Sequence, residues 1–465
     1  MKRNIIILSC FAIFCAIVVF PPIAYHYIYP NINDDTATLF SVLITKNPTN
    51  FPYAGMIYVG YPVLWLAKLI HANSFNVWMW FNLLVLIPCG VALYFIGTKL
   101  FNWKIGLMMM FVPIFVSGGI LEYQYMGIIF SLIEVVMLIP LFLYCVVKYL
   151  TDKKVYQLII VIVLAILAST FHTSGLYIPL IIGVALVSYI IYKAIRHELK
   201  DTKYYLKVSL FAIGIVALSI VGIALMSDKT LQFVNQLSNS LFNGQSIVTR
   251  QYSMQFGLWF SFVSIPIVII ALSSIILIIK NKVKINNQVK MFIYFMSCWL
   301  FVLLVLGFGK ISTDPIRAEL DASVVIGLIA AILLGVVITQ VKDKTMIYVL
   351  IFVIAIGMLA QFNLWFRNNS AIKESDKQAI AYLNTLGNAN YNCTSNVPYW
   401  IYDQLVKMKY SSTNTDLIIT RNKSMTPRSD KTVPEYIPHD YSITPQNVLV
   451  KSFINNGIEV DIYDK

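Results

Sequence analysis

Charge is what this sequence has least of. Only 12% of its 465 residues are charged, about half the share of an average soluble protein, while 58% are hydrophobic and the mean hydropathy is +0.73. An ordinary soluble globular enzyme is excluded on that ground. Cysteine is sparse as well. Of six, Cys10, Cys15, Cys89, Cys145 and Cys298 fall in apolar stretches and only Cys393 in a polar one, so no disulfide framework can be assembled. The glycine-rich phosphate loop of an ATPase, the dinucleotide-binding fingerprint and the HExxH zinc motif are all missing, which disfavours an ATP-driven pump. What is there is a chain of long Ile/Leu/Val runs with 28 Phe, 28 Tyr and a net charge of +13. In a soluble chain such a charge would suggest nucleic acid; here it is read as the topology signal of a basic membrane protein.

A hydrocarbon core takes about 20 apolar residues per spanning helix. Eleven stretches qualify, approximately 4–24, 76–98, 105–120, 126–147, 156–171, 176–192, 208–226, 257–279, 291–308, 322–341 and 345–366. With the N-terminus inside, the inner segments hold eighteen basic residues, from Lys2 and Arg3 through Lys193 and Lys290 to Lys342 and Lys344. Outer segments before the tail hold six: Lys46, Lys68, Lys229, Arg250, Lys310 and Arg317. This alternation is what the positive-inside rule demands. It also settles Tyr53–Ile70, apolar but only 18 residues long, with Gly55, Gly60 and Pro62 inside. Were it to span, every later loop would flip, so it is expected to be an interfacial or re-entrant helix within a long first outer loop, 25–75.

The composition changes after residue 366, where 11 Lys/Arg and 10 Asp/Glu occur in the last 99 residues without a long apolar run. The expected organisation is a polytopic α-helical membrane domain, 1–366, followed by a small soluble extracytoplasmic α/β domain, 367–465. In the tail, Ser375–Leu386 reads as an N-capped amphipathic helix ending before Gly387, and Tyr399–Met408 as another. Asp416–Thr420, Val448–Ile454 and Ile458–Tyr463 read as strands.

Ionisable groups in or beside the bilayer carry a functional expectation because they are costly there. The first outer loop opens with Asn31-Ile32-Asn33-Asp34-Asp35. Two adjacent acids can divide labour, one taking a proton from a hydroxyl while the other holds a divalent cation, magnesium or manganese, or tunes its neighbour. A helix-capping turn accounts for the same residues. Glu122-Tyr123-Gln124-Tyr125 lies at the second outer loop, where the tyrosines suit anchoring the chain at the headgroups. His172 in the third, beside Thr173 and Ser174, is placed to bind phosphate or a sugar hydroxyl, or serves as a structural donor. Arg250, Lys310 and Arg317 are the outer cations, and Arg317 has Asp314 and Asp321 as alternative ion-pair partners. Glu134 lies inside the fourth span.

A first helix, an outer loop opening with an acidic pair, then a surface helix carrying Tyr53, Gly55 and Pro62 resembles the GT-C superfamily of integral membrane glycosyltransferases, of the PMT/ArnT-like, polyprenyl-phosphate-sugar-dependent kind. The number of spans and the extracytoplasmic α/β tail agree. The resemblance implies that Asp34 occupies the position of the catalytic base and Asp35 that of the second acid, commonly Glu in the family. It implies an inverting transfer from a polyprenyl-phosphate-linked sugar to a cell-envelope glycan, lipid or protein, with positive charge from Arg250, Lys310 or Arg317 beside the leaving phosphate, and Glu122, Tyr123 and His172 near the sugar or acceptor. His172-Thr173-Ser174 also resembles the EpsG-type polysaccharide polymerases, which usually lack a soluble tail and carry an Arg-Gln where this chain has Gly127-Ile128; a Wzy-like polymerase or ligase is the rival. A lipid-glycan flippase or transporter is the third reading, and it would want polar residues along a path through several helices.

Overall fold

The computed structural model describes residues 4–15, 54–71, 77, 81, 84–116, 132–152, 154–171, 177–195, 206–210, 213–214, 217, 265–308, 315–341, 344–367, 374–387, 389–393, 406, 409–410, 415–422, 446–455 and 458–464. They belong to two compact units, one helical and one built around a sheet.

The helical unit contains α1 (Asn4–Cys15), the start of α2 (Ala54–Leu69), α3 (Leu86–Leu100), α4 (Trp103–Phe115), a π-helical segment (Leu132–Leu138) continuing into α5 (Ile139–Asp152), then α6 (Val155–Phe171), α7 (Tyr177–Ile195), α8 (Ile265–Lys280), α9 (Asn287–Phe308), α10 (Pro315–Gln340) and nearly all of α11 (Lys344–Arg367). Three of these carry windows long and apolar enough to cross a membrane: Ile133–Asp152, Asn287–Leu304 and Asp321–Gln340. Further apolar helices of 10–17 residues accompany them among the described residues. Large apolar side chains stand exposed along them, among them Ile159, Ile276, Ile279, Phe301 and Phe352. That surface suits lipid and not water.

The core forms around α10, which packs against α4, α8, α9 and the π segment. Val324, Val325, Leu328, Ala330, Ala331, Ile332, Leu334 and Val337 are all fully buried; small and β-branched residues on every face let neighbours come close from all sides. At Gly335 a Cβ would lie 2.8 Å from the Cα of Ile105, so glycine sets the approach of α10 to α4. The α3–α4 hairpin depends on the same device. A Cβ at Gly97 would lie 2.6 Å from the Cα of Gly106, and only two residues, Phe101 and Asn102, connect the helices. Asn102 caps α4, its side chain accepting from the Lys104 and Ile105 amides at 2.9 and 3.1 Å. Helix α1 is held by aromatic packing, with Phe11 and Phe14 against Phe111 and Phe115 at ring separations of 5.0–6.1 Å, and by the Tyr94 hydroxyl donating to Asn4 at 2.9 Å.

Most of the expected apolar stretches coincide with described helices. Of 208–226 only a few residues are described, and they are helical. The stretch expected as a surface helix is α2, 16 residues long with Pro62 inside it.

The sheet unit takes in Phe366–Lys465 and, from earlier in the chain, the stretch from Gly60 that carries the C-terminal part of α2. Helix α12 (Glu374–Leu383) precedes β1 (Asn390–Cys393), β2 (Lys409–Tyr410), β3 (Leu417–Arg421), β4 (Val448–Asn455) and β5 (Ile458–Asp464). The strand order is β2-β1-β3-β5-β4, with β1 parallel to β2 and β3, and β5 antiparallel to β3 and β4. Reciprocal bonds pin the central register: the Asn390 amide donates to the Asp416 carboxylate at 2.8 Å while the Asp416 amide donates to the Asn390 carbonyl at 2.9 Å. Helix α12 ends as its sequence implies, before Gly387 at φ +79°, and packs on β4 and β5. Of the expected helix over Tyr399–Met408 only Val406 is among the described residues; just after it, Lys409–Tyr410 form β2 and pair with Asn390–Tyr391.

Candidate functional site

Of the residues expected to carry chemistry, Asp34, Asp35, Glu122, Tyr123, His172, Arg250 and Lys310 lie outside the described residues. Arg317 is described as backbone only. It sits in the first turn of α10, one turn before Asp321 on the same face, since residues four apart are neighbours on a helix. Pro315 opens this helix, where a missing amide hydrogen costs nothing.

Two acids are described in the core of the helical unit. Asp321 is 2% exposed and Glu134 wholly buried. Both have interaction partners, as a buried carboxylate must if it is not to cost several kcal/mol. Ser323, 1% exposed, adds a buried hydroxyl two residues beyond Asp321. The elements bearing Glu134 and Asp321 touch, because the π segment packs on α10. Glu134 is thus not on a plain α-helix as its sequence suggests but in the first turn of the π-helical stretch Leu132–Leu138. One widened turn re-aims the side chains it carries, and such turns recur at functional sites. No residue type announces it; the run Leu132-Ile133-Glu134-Val135-Val136 reads as ordinary helix.

Among the described residues no group of three or more His, Cys, Asp or Glu side chains comes together as a metal site. In the sheet unit a buried ion pair joins Asp376 of α12 to Arg421 of β3, Nη2 to Oδ2 at 3.2 Å, with both side chains fully enclosed. It ties a helix to the central strand.

No family model matches the chain, and no curated protein matches it by sequence. Its fold does match solved structures. The oligosaccharyltransferase of Archaeoglobus fulgidus in its apo form aligns with a TM-score of 0.56 at 11% identity, over 89% of this chain and 69% of that one. The structure of the Archaeoglobus fulgidus oligosaccharyltransferase in complex with zinc and sulfate aligns at 0.53 and 12% identity, over 89% and 67%. The likeness is therefore one of fold, spanning helical unit and tail alike.

Proposed function

We propose that this chain is a GT-C-type membrane glycosyltransferase that moves a sugar from a polyprenyl-phosphate-linked donor onto an extracytoplasmic acceptor. The observation that carries the reading is the fold, which over 89% of the chain is similar to that of the Archaeoglobus fulgidus oligosaccharyltransferase. Alongside it stands the acidic pair Asp34-Asp35 immediately after the first apolar helix.

In this reading eleven helices span the bilayer, the N-terminus is cytoplasmic, and residues 367–465 form an extracytoplasmic domain. Helix α2 lies along the surface; Trp65, Leu69 and Ile70, all more than half exposed, suit an interfacial position. Asp34 accepts the proton of the attacking hydroxyl as that oxygen bonds to the anomeric carbon. The bond from this carbon to the phosphate oxygen breaks, its electron pair leaves with the lipid phosphate, and the configuration inverts. Arg250, Lys310 and Arg317 supply positive charge where the phosphate departs, and Glu122, Tyr123 and His172 contact sugar or acceptor. Asp35 is the residue to hold a divalent cation, magnesium or manganese, and the neighbour solved with zinc and sulfate supports testing for one. An ion there would stabilise developing charge.

Transport fits less well. A carrier needs polar groups along a path through the membrane, whereas the described spans enclose few, chiefly Glu134 and Asp321. A second reading is favoured by the neighbour's own name, since an oligosaccharyltransferase acts with a whole glycan. By analogy the donor here would be a lipid-linked oligosaccharide, as for an EpsG- or Wzy-like polymerase or ligase. The two are separated by incubating the purified chain with synthetic polyprenyl-phosphate monosaccharides or polyprenyl-diphosphate oligosaccharides and candidate acceptors. Consumption of the monosaccharide carrier with inverted product supports the proposal, and consumption of only the oligosaccharide carrier replaces it.

A further inference from the structure

Helices α8 and α9 both pack on α10, and residues 281–286 join them as two caps set back to back. The first closes α8. The Lys282 amide donates to the Ile279 carbonyl at 3.1 Å and the Val283 amide to the Ile278 carbonyl at 3.0 Å, the paired bonds of a Schellman cap, while the Asn281 side chain donates to the Leu277 carbonyl at 2.9 Å. The second cap opens α9, where the Asn286 side chain accepts from the Gln288 amide at 2.6 Å. A Schellman cap needs one left-handed residue, and glycine takes that conformation without a Cβ clash. Here the residue is Lys282, at φ +47°. The cap strains this lysine and uses only its backbone.

The turn is basic. Lys280, Lys282 and Lys284 are exposed, none of them forms an ion pair among the described residues, and the sequence has no Asp or Glu from 229 to 313. The acids that the sequence reading puts at this end of the bundle are Asp152, which pairs with Lys148 at 3.8 Å, and Glu198, Asp201 and Asp343, which lie outside the described residues. Apolar surface leads to the turn along one face of α8. Ile265, Ile269, Leu272, Ile276 and Ile279 recur at spacings of four and three and are 42–70% exposed, and Lys280, four beyond Ile276, is its neighbour on that face. The apolar window of α9 starts at Asn287, so the turn stands at headgroup depth. A soluble anion would meet only the lysines. A phospholipid would meet both, its headgroup on the lysines and an acyl chain running back from the turn over Ile279, Ile276 and Leu272.

We propose that the turn between α8 and α9 is a docking surface for an anionic phospholipid, with Lys280, Lys282 and Lys284 meeting the headgroup phosphate and the exposed face of α8 meeting an acyl chain. Basic side chains beside a spanning helix are drawn to anionic lipid, and a turn capped at both ends holds three of them together before the lipid arrives. Under the topology proposed above the leaflet is the inner one; the headgroup chemistry does not depend on it.

The test is native mass spectrometry of the full chain in detergent, titrated with phosphatidylglycerol or phosphatidylcholine. Wild type is expected to retain phosphatidylglycerol in preference to phosphatidylcholine; equal retention of the two would mean that the lysines are neutralised from elsewhere and would overturn the proposal. Changing Lys280, Lys282 and Lys284 together to Gln is expected to weaken phosphatidylglycerol binding on the order of a hundredfold. Changing Lys99, Lys104 and Lys154 to Gln removes the same charge from the α3–α4 turn and the α5–α6 turn and is expected to change little. Equal losses in the two sets would mean diffuse attraction and no site at this turn. Lys282→Gly separates binding from structure: it relieves the strained backbone, so the melting temperature is expected to hold or rise while phosphatidylglycerol binding weakens about fivefold. Unchanged binding in that variant would contradict the proposal. If inorganic phosphate displaces the lipid at equal concentration, the ligand is a free anion and the lipid assignment fails. No sugar donor or acceptor is present and both faces are open to the micelle, so these outcomes are independent of glycosyl transfer and of topology.

Discussion

Buried charge in this protein is confined to a few positions, and each makes a distinct prediction. Asp376 and Arg421 face each other at 3.2 Å with no solvent contact, so removing one leaves the other charged and enclosed. Asp376→Asn is expected to destabilise the tail by about 3–5 kcal/mol, read as earlier amide exchange in β3 and β5 while the helical unit keeps its protection. Arg317 belongs to the same scale. If it meets the leaving phosphate, Arg317→Lys keeps part of the turnover and Arg317→Gln loses on the order of a hundredfold. If it only neutralises Asp321, the double change of Arg317→Gln with Asp321→Asn restores turnover. The acidic pair Asp34-Asp35 stands out as two adjacent letters in the sequence and lies outside the described residues. The burial of Asp321 was not legible, since Asp321 is the last charged residue before an apolar run and reads as a boundary. Only the packing of α10 on four neighbours puts it inside.

Elements were legible where one period dominates. Helices α3 to α11 announce themselves by length and apolarity, α12 by its cap and closing Gly387, and β3 to β5 by β-branched runs between turn residues. The elements that escaped detection depend on partners: the π segment within an unremarkable apolar run, and β1 and β2, short and polar, which exist because they pair in parallel beside β3. Close approach between helices was equally invisible. Gly97 and Gly106 look like ordinary membrane glycines in the sequence, yet a Cβ on Gly97 would meet the facing backbone at 2.6 Å. Gly97→Val should therefore force α3 from α4 and cost about 1–3 kcal/mol, seen as a lowered melting temperature in detergent. Gly214, where a Cβ would meet nothing within 4 Å, should accept the same change with little effect. A reversed ranking would contradict the hairpin packing.

For the whole molecule, the proposed orientation rests on the distribution of lysines, a property that no single residue carries. The account predicts that alkaline phosphatase fused after Lys465 is active and a fluorescent protein at that position is dark, with the reverse for fusions in the loop at Lys342. Matching signals at the two positions would break the odd count of spans on which the outer location of the tail depends. Fold likeness to an oligosaccharyltransferase and a catalytic acid at the outer surface are separate claims that meet at Asp34. The most direct measurement is single-turnover release of polyprenyl phosphate from a labelled donor by wild type and Asp34→Asn, with donor binding measured in parallel. The account predicts that the substitution leaves binding unchanged and slows release by about 10²–10⁴-fold, the range for a lost general base. Release at the wild-type rate with binding intact would contradict it.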